Sequence, residues 1–305
     1  MPRILVTGAS GFIGSALCPA LLEAGWEVAT LQRTARSSVH ARVTNYAADF
    51  RHLKALSATL HTIPPVAAIV HLAALIPGHE PTDEADYLAA NGAATAILLE
   101  WGQRHKTPVF VYTSSTAVLG PPSEVPITET HPTRPAHSYG AGKLAGEVYC
   151  EEARRRARIR TVSLRIGSPY GEGMPEKSVM PIFAGQALRG ETLTYYGSGE
   201  REQVFVHVQD VVSAIMLGLN GPAAGIFNVT GPGPISMKRL AETIVRLSGS
   251  HTARVAAAGT PDPQEHVRWP VSLDKSAREL GYRPRITLEE GLTQYLAWKQ
   301  EKQSA

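Results

Sequence analysis

Short apolar runs alternate with longer segments of helical period through the first half of the 305-residue chain. The apolar runs are rich in β-branched residues and end at glycine or polar positions, which is typical of buried strands. The predicted strands are RILVTG, WEVATLQR, VTNYAADF, VAAIVHLAA, PVFVYTSS and RTVSLRIGS. The segments between them predict helices over 14–25, 52–61, 85–104 and 139–157. Strands that alternate with helices at this spacing indicate βαβ units and a parallel sheet.

The pattern changes after about residue 167, where glycine and proline become frequent. The apolar runs shorten to TLTYYG, QVFVHV and GIFNVT, and helical period recurs near 176–189, 236–248 and 287–300. We therefore predict an α/β fold in two parts. Residues 1–166 form the main domain, and residues 167–305 form a smaller C-terminal α/β region that mainly binds substrate, with segments that return to the main sheet.

Composition is that of an ordinary globular protein, with 43% hydrophobic and 19% charged residues. The formal net charge of +3 gives no reason to expect a nucleic-acid or membrane partner. Cys18 and Cys150 are the two cysteines, and their spacing predicts neither a disulfide nor a metal site. No apolar stretch approaches the roughly 20 residues of a membrane span, and no targeting segment is evident. We expect a cytoplasmic protein without a bound metal.

Three glycines, Gly8, Gly11 and Gly14, lie between the first predicted strand and the first predicted helix, in ILVTGASGFIG. Glycines allow a tight turn and let a diphosphate approach the free N–H groups at the start of the helix, where the helix dipole also favours negative charge. The strand before and the helix after favour this interpretation over a plain turn. We predict a dinucleotide site on a Rossmann fold, a doubly wound parallel sheet.

The segment TGASGFIG resembles the fingerprint of the extended short-chain dehydrogenase/reductase superfamily, in its branch of NAD(P)-dependent epimerases and dehydratases. The resemblance recurs along nearly the whole chain, at AADF, VHLAA and YLAANGAAT among other segments. It implies a homodimer built from the long helices near 86–104 and 139–157. The cofactor-binding positions that it implies are Gly8, Gly11, Phe12, Ile13, Gly14, Asp49, Phe50, Leu72, Ala73, Ala74, Asn91, Thr113, Tyr139 and Lys143.

The end of the second predicted strand bears on the choice of dinucleotide. Members of this family that use NAD carry an acid there for the ribose hydroxyl, whereas this chain has Gln32, followed by Arg33 and Arg36. Arginine pairs well with the additional phosphate of NADP. A solvated basic loop is the alternative. We therefore predict NADP(H), with NAD as the second possibility.

Tyr139 and Lys143 in YGAGK are four residues apart and share one face of a predicted helix. They resemble the catalytic Tyr and Lys of the family, and Ser115 in YTSSTAVLG matches its catalytic hydroxyl. A nearby ammonium favours the phenolate form of tyrosine, so that Tyr139 can exchange a proton with a substrate oxygen. Thr116 and Ala117 stand where the family's dehydratases carry an acidic pair, and a dehydratase is therefore not expected.

The C-terminal half departs from the family at the positions that contact substrate. Ser168 stands where an Asn often contacts substrate, and Gln203 stands where an Arg grips the diphosphate of a nucleotide sugar. Arg201 shares a strand face with Gln203, and Arg268 is near the place of a second family Arg. With Ser115 and Tyr139, these four residues are the predicted substrate contacts. Either Arg201 and Arg268 rebuild the clamp, or the substrate is not a nucleotide sugar.

The sequence is compatible with three functions. The first is an NADP(H)-dependent oxidoreductase that reduces a keto group on a sugar or a nucleotide-linked sugar, with Tyr139 as the acid/base. The second is an NAD(P)-dependent nucleotide-sugar epimerase that acts by transient oxidation. The third is a dinucleotide-binding protein without catalytic activity, which the presence of both Tyr139 and Lys143 disfavours.

Overall fold

The computed structural model describes residues 1–34, 41–78, 82–156 and 158–304. In chain order the strands are β1 (Arg3–Thr7), β2 (Glu27–Gln32), β3 (Val43–Ala47), β4 (Ala68–His71), β5 (Val109–Ser115), β6 (Arg160–Ile166), β7 (Ser168–Tyr170), β8 (Thr192–Tyr195), β9 (Glu202–His207), β10 (Gly225–Val229), β11 (Pro234–Ser236) and β12 (Arg254–Ala257). The α-helices are α1 (Phe12–Glu23), α2 (Leu53–Leu60), α3 (Glu84–Tyr87), α4 (Ala94–Arg104), α5 (Ser138–Arg155), α6 (Val179–Leu188), α7 (Val208–Asn220), α8 (Met237–Ser248) and α9 (Leu288–Ser304).

A seven-stranded sheet in the order β10-β6-β5-β4-β1-β2-β3 forms the centre of the molecule, and its neighbouring strands all pair in parallel. Parallel strands need both faces covered, because their crossover helices pack back onto the sheet. Helices α1 and α7 bury one face, with Leu17 and Val211 in the core. Helices α2, α4 and α5 bury the other, with Leu98 and Phe110 in the core.

A smaller region lies beside the carboxyl edge of this sheet. Strands β7, β9 and β11 form a three-stranded sheet, and β8 pairs with β12. Helices α6, α8 and α9 pack around a third core that contains Tyr170, Phe205 and Leu240. Strand β10 leaves this region and pairs with β6, so the chain beyond residue 167 also contributes one strand to the main sheet.

The predicted fold class is confirmed, and β1 to β6 correspond to the six strands predicted in the first half. The sequence pattern missed α7, because this helix begins directly after β9, so that the apolar residues of the two elements run together. It also missed β7, β11 and β12, which have only three or four residues each. The predicted helix over 85–104 is continuous but contains a π-helical segment at Leu88–Ala93.

Helix α5 packs unusually close to β5, the strand that ends at Ser115. A Cβ atom added at Gly146 would lie only 2.3 Å from the phenol oxygen of Tyr112 on β5. The same phenol donates a hydrogen bond of 3.2 Å to the carbonyl of Lys143. Both contacts fix the height of α5 above the sheet, and therefore the position of the side chains on its first turns.

Replacing Gly146 by Ala tests this contact. The added methyl group must displace Tyr112, which is fully buried, so we expect the free energy of unfolding to fall by about 1–3 kcal/mol in urea denaturation. Gly185→Ala on α6 is the matched control, because its nearest neighbours are the flexible ends of Arg189 and Lys299. There we expect no loss, or a gain of up to about 1 kcal/mol from helix propensity. Equal effects of the two substitutions would contradict the close contact.

Candidate active site

A cavity of about 760 Å³ lies where the carboxyl ends of β1, β2, β4 and β5 meet. The chain runs outwards from β1 to β3 on one side and from β4 to β6 on the other, so β1 and β4 flank the switch point of the sheet. Open parallel sheets bind their ligands in the crevice at such a point. The fold thus places the cavity between the glycine loop and the start of α5.

The glycine loop forms the floor of this cavity. Gly8 adopts φ +70°, and a Cβ atom there would lie 2.7 Å from the backbone nitrogen of Ala73. A Cβ atom at Gly14 would lie 2.4 Å from the carbonyl oxygen of Gly8. With Gly11, Phe12 and Ile13 these residues present bare backbone at the first turn of α1, whose start has no side-chain cap. Such a surface fits a diphosphate.

The end of β2 lies beside that floor. The side-chain oxygen of Gln32 is buried and has no hydrogen-bond partner among the described residues. Arg33 and Asp49 line the same part of the cavity, and Arg36 lies outside the described residues. Asp49 accepts three hydrogen bonds from the side chain of Arg51, of 2.6 to 3.1 Å, which hold the pKa of its carboxyl below the ordinary value. An unsatisfied buried acceptor needs a polar partner, so Gln32 and the glycine loop together fit a bound dinucleotide.

The wall beside the loop contains the predicted Leu72, Ala73 and Ala74, and Phe50 and Thr113 also line the cavity. Asn91 differs from the other predicted contacts because it lies behind this wall. Its amide nitrogen donates to the carbonyl of Leu75 at 3.0 Å and its oxygen accepts from the backbone N–H of Leu75 at 2.8 Å. Asn91 is fully buried in the π-helical segment, and it fixes the wall rather than lining the cavity.

Ser115, Tyr139 and Lys143 come together in the lining of the same cavity. The hydroxyl of Ser115 accepts a bond of 3.2 Å from the N–H of Ala117 and lies near enough to Tyr139 to lower the pKa of that phenol. The ammonium of Lys143 donates to the carbonyl of Thr113 at 2.7 Å and lies 5.0 Å from the centre of the Tyr112 ring. Strand β5 therefore supplies the hydroxyl, and α5 supplies the phenol and the amine.

Burial governs the protonation of this group. It raises the pKa of Tyr139 above the ordinary value, and the hydrogen bond with Ser115 opposes that change. It lowers the pKa of Lys143 to about 7, while the carboxylate of Glu147 acts in the opposite direction. A lysine that titrates near neutral pH beside a tyrosine can exchange a proton through that phenol, and such perturbed groups in a cleft are typical of catalytic sites.

The four substrate contacts predicted on the C-terminal region lie outside the cavity lining. Gln203 donates a hydrogen bond to Ser168. Arg201 forms an ion pair of 2.8 Å with Asp262. Arg268 lies 3.8 Å from the carboxylate of Glu202 and donates to the backbone carbonyl of Glu265. Arg201 is therefore paired directly with an acid, and Arg268 has an acid nearby.

The sequence of residues 4–230 matches the NAD dependent epimerase/dehydratase family. This match covers well over half of the chain and includes the glycine loop and the Ser115, Tyr139 and Lys143 cluster. The chain belongs to that family.

Members of the NAD dependent epimerase/dehydratase family resemble the chain over its whole length. A UDP-glucose 4-epimerase of Mycolicibacterium smegmatis is 33% identical over 98% of this chain and 99% of the relative. A dTDP-glucose 4,6-dehydratase of Streptomyces niveus is 29% identical over 99% and 94%. The crystal structure of a Thermotoga maritima UDP-glucose 4-epimerase with UDP-glucose superposes with a TM-score of 0.87, at 25% identity over 99% of both chains. That of a Thermus thermophilus UDP-glucose 4-epimerase with NAD has a TM-score of 0.83, at 27% identity over 98% and 99%.

The far side of the cavity contains residues that the sequence did not single out. Six of them are Ile76, Pro77, Met174, Pro175, Lys177 and Ser178. Lys177 donates to the carbonyl of Gly78 at 2.9 Å, and the neighbouring Glu176 forms an ion pair of 2.5 Å with Lys299 of α9. The sequence could have indicated these residues by the position of GMPEKS, which follows β7 and precedes α6. Loops that connect a strand to a helix often carry binding residues.

Lys143→Met tests the burial of the amine. In the unfolded chain the lysine keeps its ordinary pKa of 10.5, whereas folding lowers it to about 7, so the unfolded state binds more protons between these two values. The free energy of unfolding of the wild type should therefore rise, relative to that of Lys143→Met, as the pH increases through this window. Urea denaturation at several pH values measures the difference. A difference that stays constant across this window would show that folding does not lower the pKa of Lys143.

Proposed function

We propose that the chain is an oxidoreductase that uses NADP(H) to reduce a keto group on a sugar-type substrate. The observation that carries this proposal is the single cavity that joins the glycine loop to Ser115, Tyr139 and Lys143. When bound, the nicotinamide would supply or accept the hydride. The residues of the chain would bind the substrate oxygen, hold it in place and move its proton.

Each of the three side chains has a separate task in this proposal. Tyr139 donates the proton that converts a carbonyl oxygen into a hydroxyl. Ser115 holds that oxygen by a hydrogen bond, which also orients the phenol. Lys143, one helical turn from Tyr139, supplies positive charge that favours the phenolate left behind after the transfer.

NADP(H) is proposed because no acid stands at the end of β2. Gln32 supplies a neutral buried acceptor there, and Arg33 lines the same cavity. An aspartate or glutamate would repel the additional phosphate of NADP, whereas arginine binds phosphate well. The family is NAD dependent as a whole, and this chain would be a member that accepts the phosphorylated form.

Gln32→Asp tests the cofactor proposal. The new carboxylate would repel the phosphate and would accept hydrogen bonds from an unphosphorylated ribose. Since a charged hydrogen bond contributes about 1.5–3 kcal/mol, the dissociation constant for NADPH should rise by about 10- to 100-fold, while that for NADH should fall. Fluorescence titration measures both constants. Gln32→Asn, which adds no charge, is the control, and an unchanged preference in Gln32→Asp would contradict the proposal.

Net reduction is preferred to dehydration because Thr116 and Ala117 provide no acid or base after Ser115. Net reduction is preferred to epimerisation because an epimerase must hold its substrate while the keto-sugar intermediate rotates to present its other face. In a nucleotide sugar the diphosphate offers that hold, and it needs cations. Arg201 and Arg268 are paired with Asp262 and Glu202, and neither lines the cavity.

A nucleotide-sugar epimerase is the second candidate. The similarity to the UDP-glucose 4-epimerase of M. smegmatis, 33% over nearly the full length, favours it. The two candidates differ in their use of cofactor, because an epimerase restores its nicotinamide in every turnover and a reductase consumes it.

Turnover assays separate the two candidates. With a panel of UDP- and dTDP-linked 4-keto sugars and the corresponding free sugars, we expect the absorbance of added NADPH to fall in proportion to product. Tyr139→Phe should lower this rate by about 100- to 10,000-fold and leave NADPH binding intact, because the proton donor is lost. Tyr149→Phe, a partly exposed tyrosine on the same helix, is the control. Interconversion of UDP-sugars without net use of NADPH would favour the epimerase instead.

A homodimer is proposed from the exposed face of α5 and its neighbour. Val148 and Tyr149 of α5 and Leu88 of the π-helical segment are exposed apolar residues. Pairing of these helices with those of a second copy would bury them.

Across the described ranges, no helix combines the length and the apolarity that crossing a bilayer requires. A cytoplasmic location stays a prediction.

A further inference from the structure

A buried ion pair lies one helical turn beyond Lys143. Glu147 of α5 accepts hydrogen bonds from Arg165 of β6, with Nε–Oε1 at 2.9 Å and Nη2–Oε2 at 2.8 Å. The two side chains are only 2% and 3% exposed. Removing two charges from water costs about as much free energy as their attraction provides. A buried ion pair is therefore not explained by a contribution to stability.

This pair is also connected to the strand that carries the catalytic serine. The hydroxyl of Ser114, the residue before Ser115, donates to Glu147 at 2.6 Å. Arg165 donates in addition to the backbone carbonyl of Glu129 at 3.0 Å. The carboxylate of Glu147 therefore sits between the end of β5, the middle of α5 and the end of β6, next to the active site but outside the cavity lining.

Glu147 is the anion that faces Lys143 from the surrounding described elements. The other titratable groups that face this amine are Tyr112 of β5, His71 of β4 and Cys150 of α5, and Tyr139 lies one helical turn before it. Burial raises the pKa of both phenols and brings the pKa of the Cys150 thiol to about 12, and it lowers the pKa of His71. All four are therefore neutral near pH 7.

We propose that Glu147 is a positioning residue of the active site, which acts through Lys143 by offsetting the charge of Arg165 and keeping the neighbouring amine protonated. Residues four apart on a helix have Cβ atoms about 5–6 Å from each other. Without the carboxylate, the amine would share its buried surroundings with an uncompensated guanidinium. The proposal rests on the role of Lys143 in the proposed function. It adds that Glu147 and Arg165 together set the protonation of Lys143 on which that role depends.

Two single variants change this balance in opposite directions, and their combination restores it. Glu147→Gln keeps the acceptor for Ser114 and leaves Arg165 uncompensated, so the titration midpoint of Lys143 should fall by about one to two pH units. Arg165→Met leaves Glu147 uncompensated, so the midpoint should rise. The double variant removes both charges and should titrate close to the wild type. Ser114→Ala is a control that removes a hydrogen bond to Glu147 without changing any charge, and we expect no shift.

The midpoint is measured in the full chain without added ligand, by two-dimensional NMR of isotope-labelled lysine. The Hε–Nζ signal of Lys143 is assigned by its loss in Lys143→Met and followed against pH. Because no turnover is needed, a failure of the proposed reduction would leave this result unaffected. Urea denaturation of each variant reports stability separately.

Opposite shifts in the two single variants, with restoration in the double variant, support the proposal. Shifts in the same direction, or no shift in either, would overturn it, since a purely structural role lowers stability without reversing the sign. If Glu147→Gln does not fold, Arg165→Met alone decides, because its midpoint must rise under the proposal.

Discussion

The close approach of α5 to β5 is the constraint on which the active site depends. A side chain at Gly146 would collide with Tyr112, and one at Gly142 would lie 2.6 Å from the carbonyl of Tyr87. The contact at Gly146 lets the helix lie low enough for the amine of Lys143 to reach the carbonyl of Thr113 on β5, whereas the contact at Gly142 brings the helix against Tyr87 of α3. A hydrogen bond to a main-chain atom of a central strand fixes the amine more firmly than a bond to another mobile side chain.

The parts of the site that could be predicted are those set by local spacing. Gly8 to Gly14 occupy one loop between a strand and a helix, and Tyr139 and Lys143 lie four residues apart on one helix face. Ser115 ends a buried strand that runs parallel to the strand before the glycine loop, and carboxyl ends of parallel strands share one edge. Local spacing therefore predicted the glycine loop and the pair of Tyr139 and Lys143, whereas Ser115 was predicted from its resemblance to the family's catalytic hydroxyl.

The remaining parts depend on contacts between residues far apart in the chain. Asn91 matches a cofactor position by its sequence context, yet it holds Leu75 from behind the wall. Arg201 had the strand position expected of a substrate contact, but Asp262, 61 residues later, already binds it. Whether a cation is available to a ligand is decided by its partner in space, and spacing along the chain carries no information about that partner.

The ion pair between Glu176 and Lys299 joins residues 123 positions apart, and Glu176 lies within the segment that forms the far side of the cavity. Chains are synthesised from the amino end, and contacts of high sequence separation form only after the intervening chain exists. The glycine loop and the first turns of α5 emerge much earlier than α9. A nascent chain thus contains the glycine loop and the start of α5 before α9 can fasten the far side of the cavity, so that side is completed last.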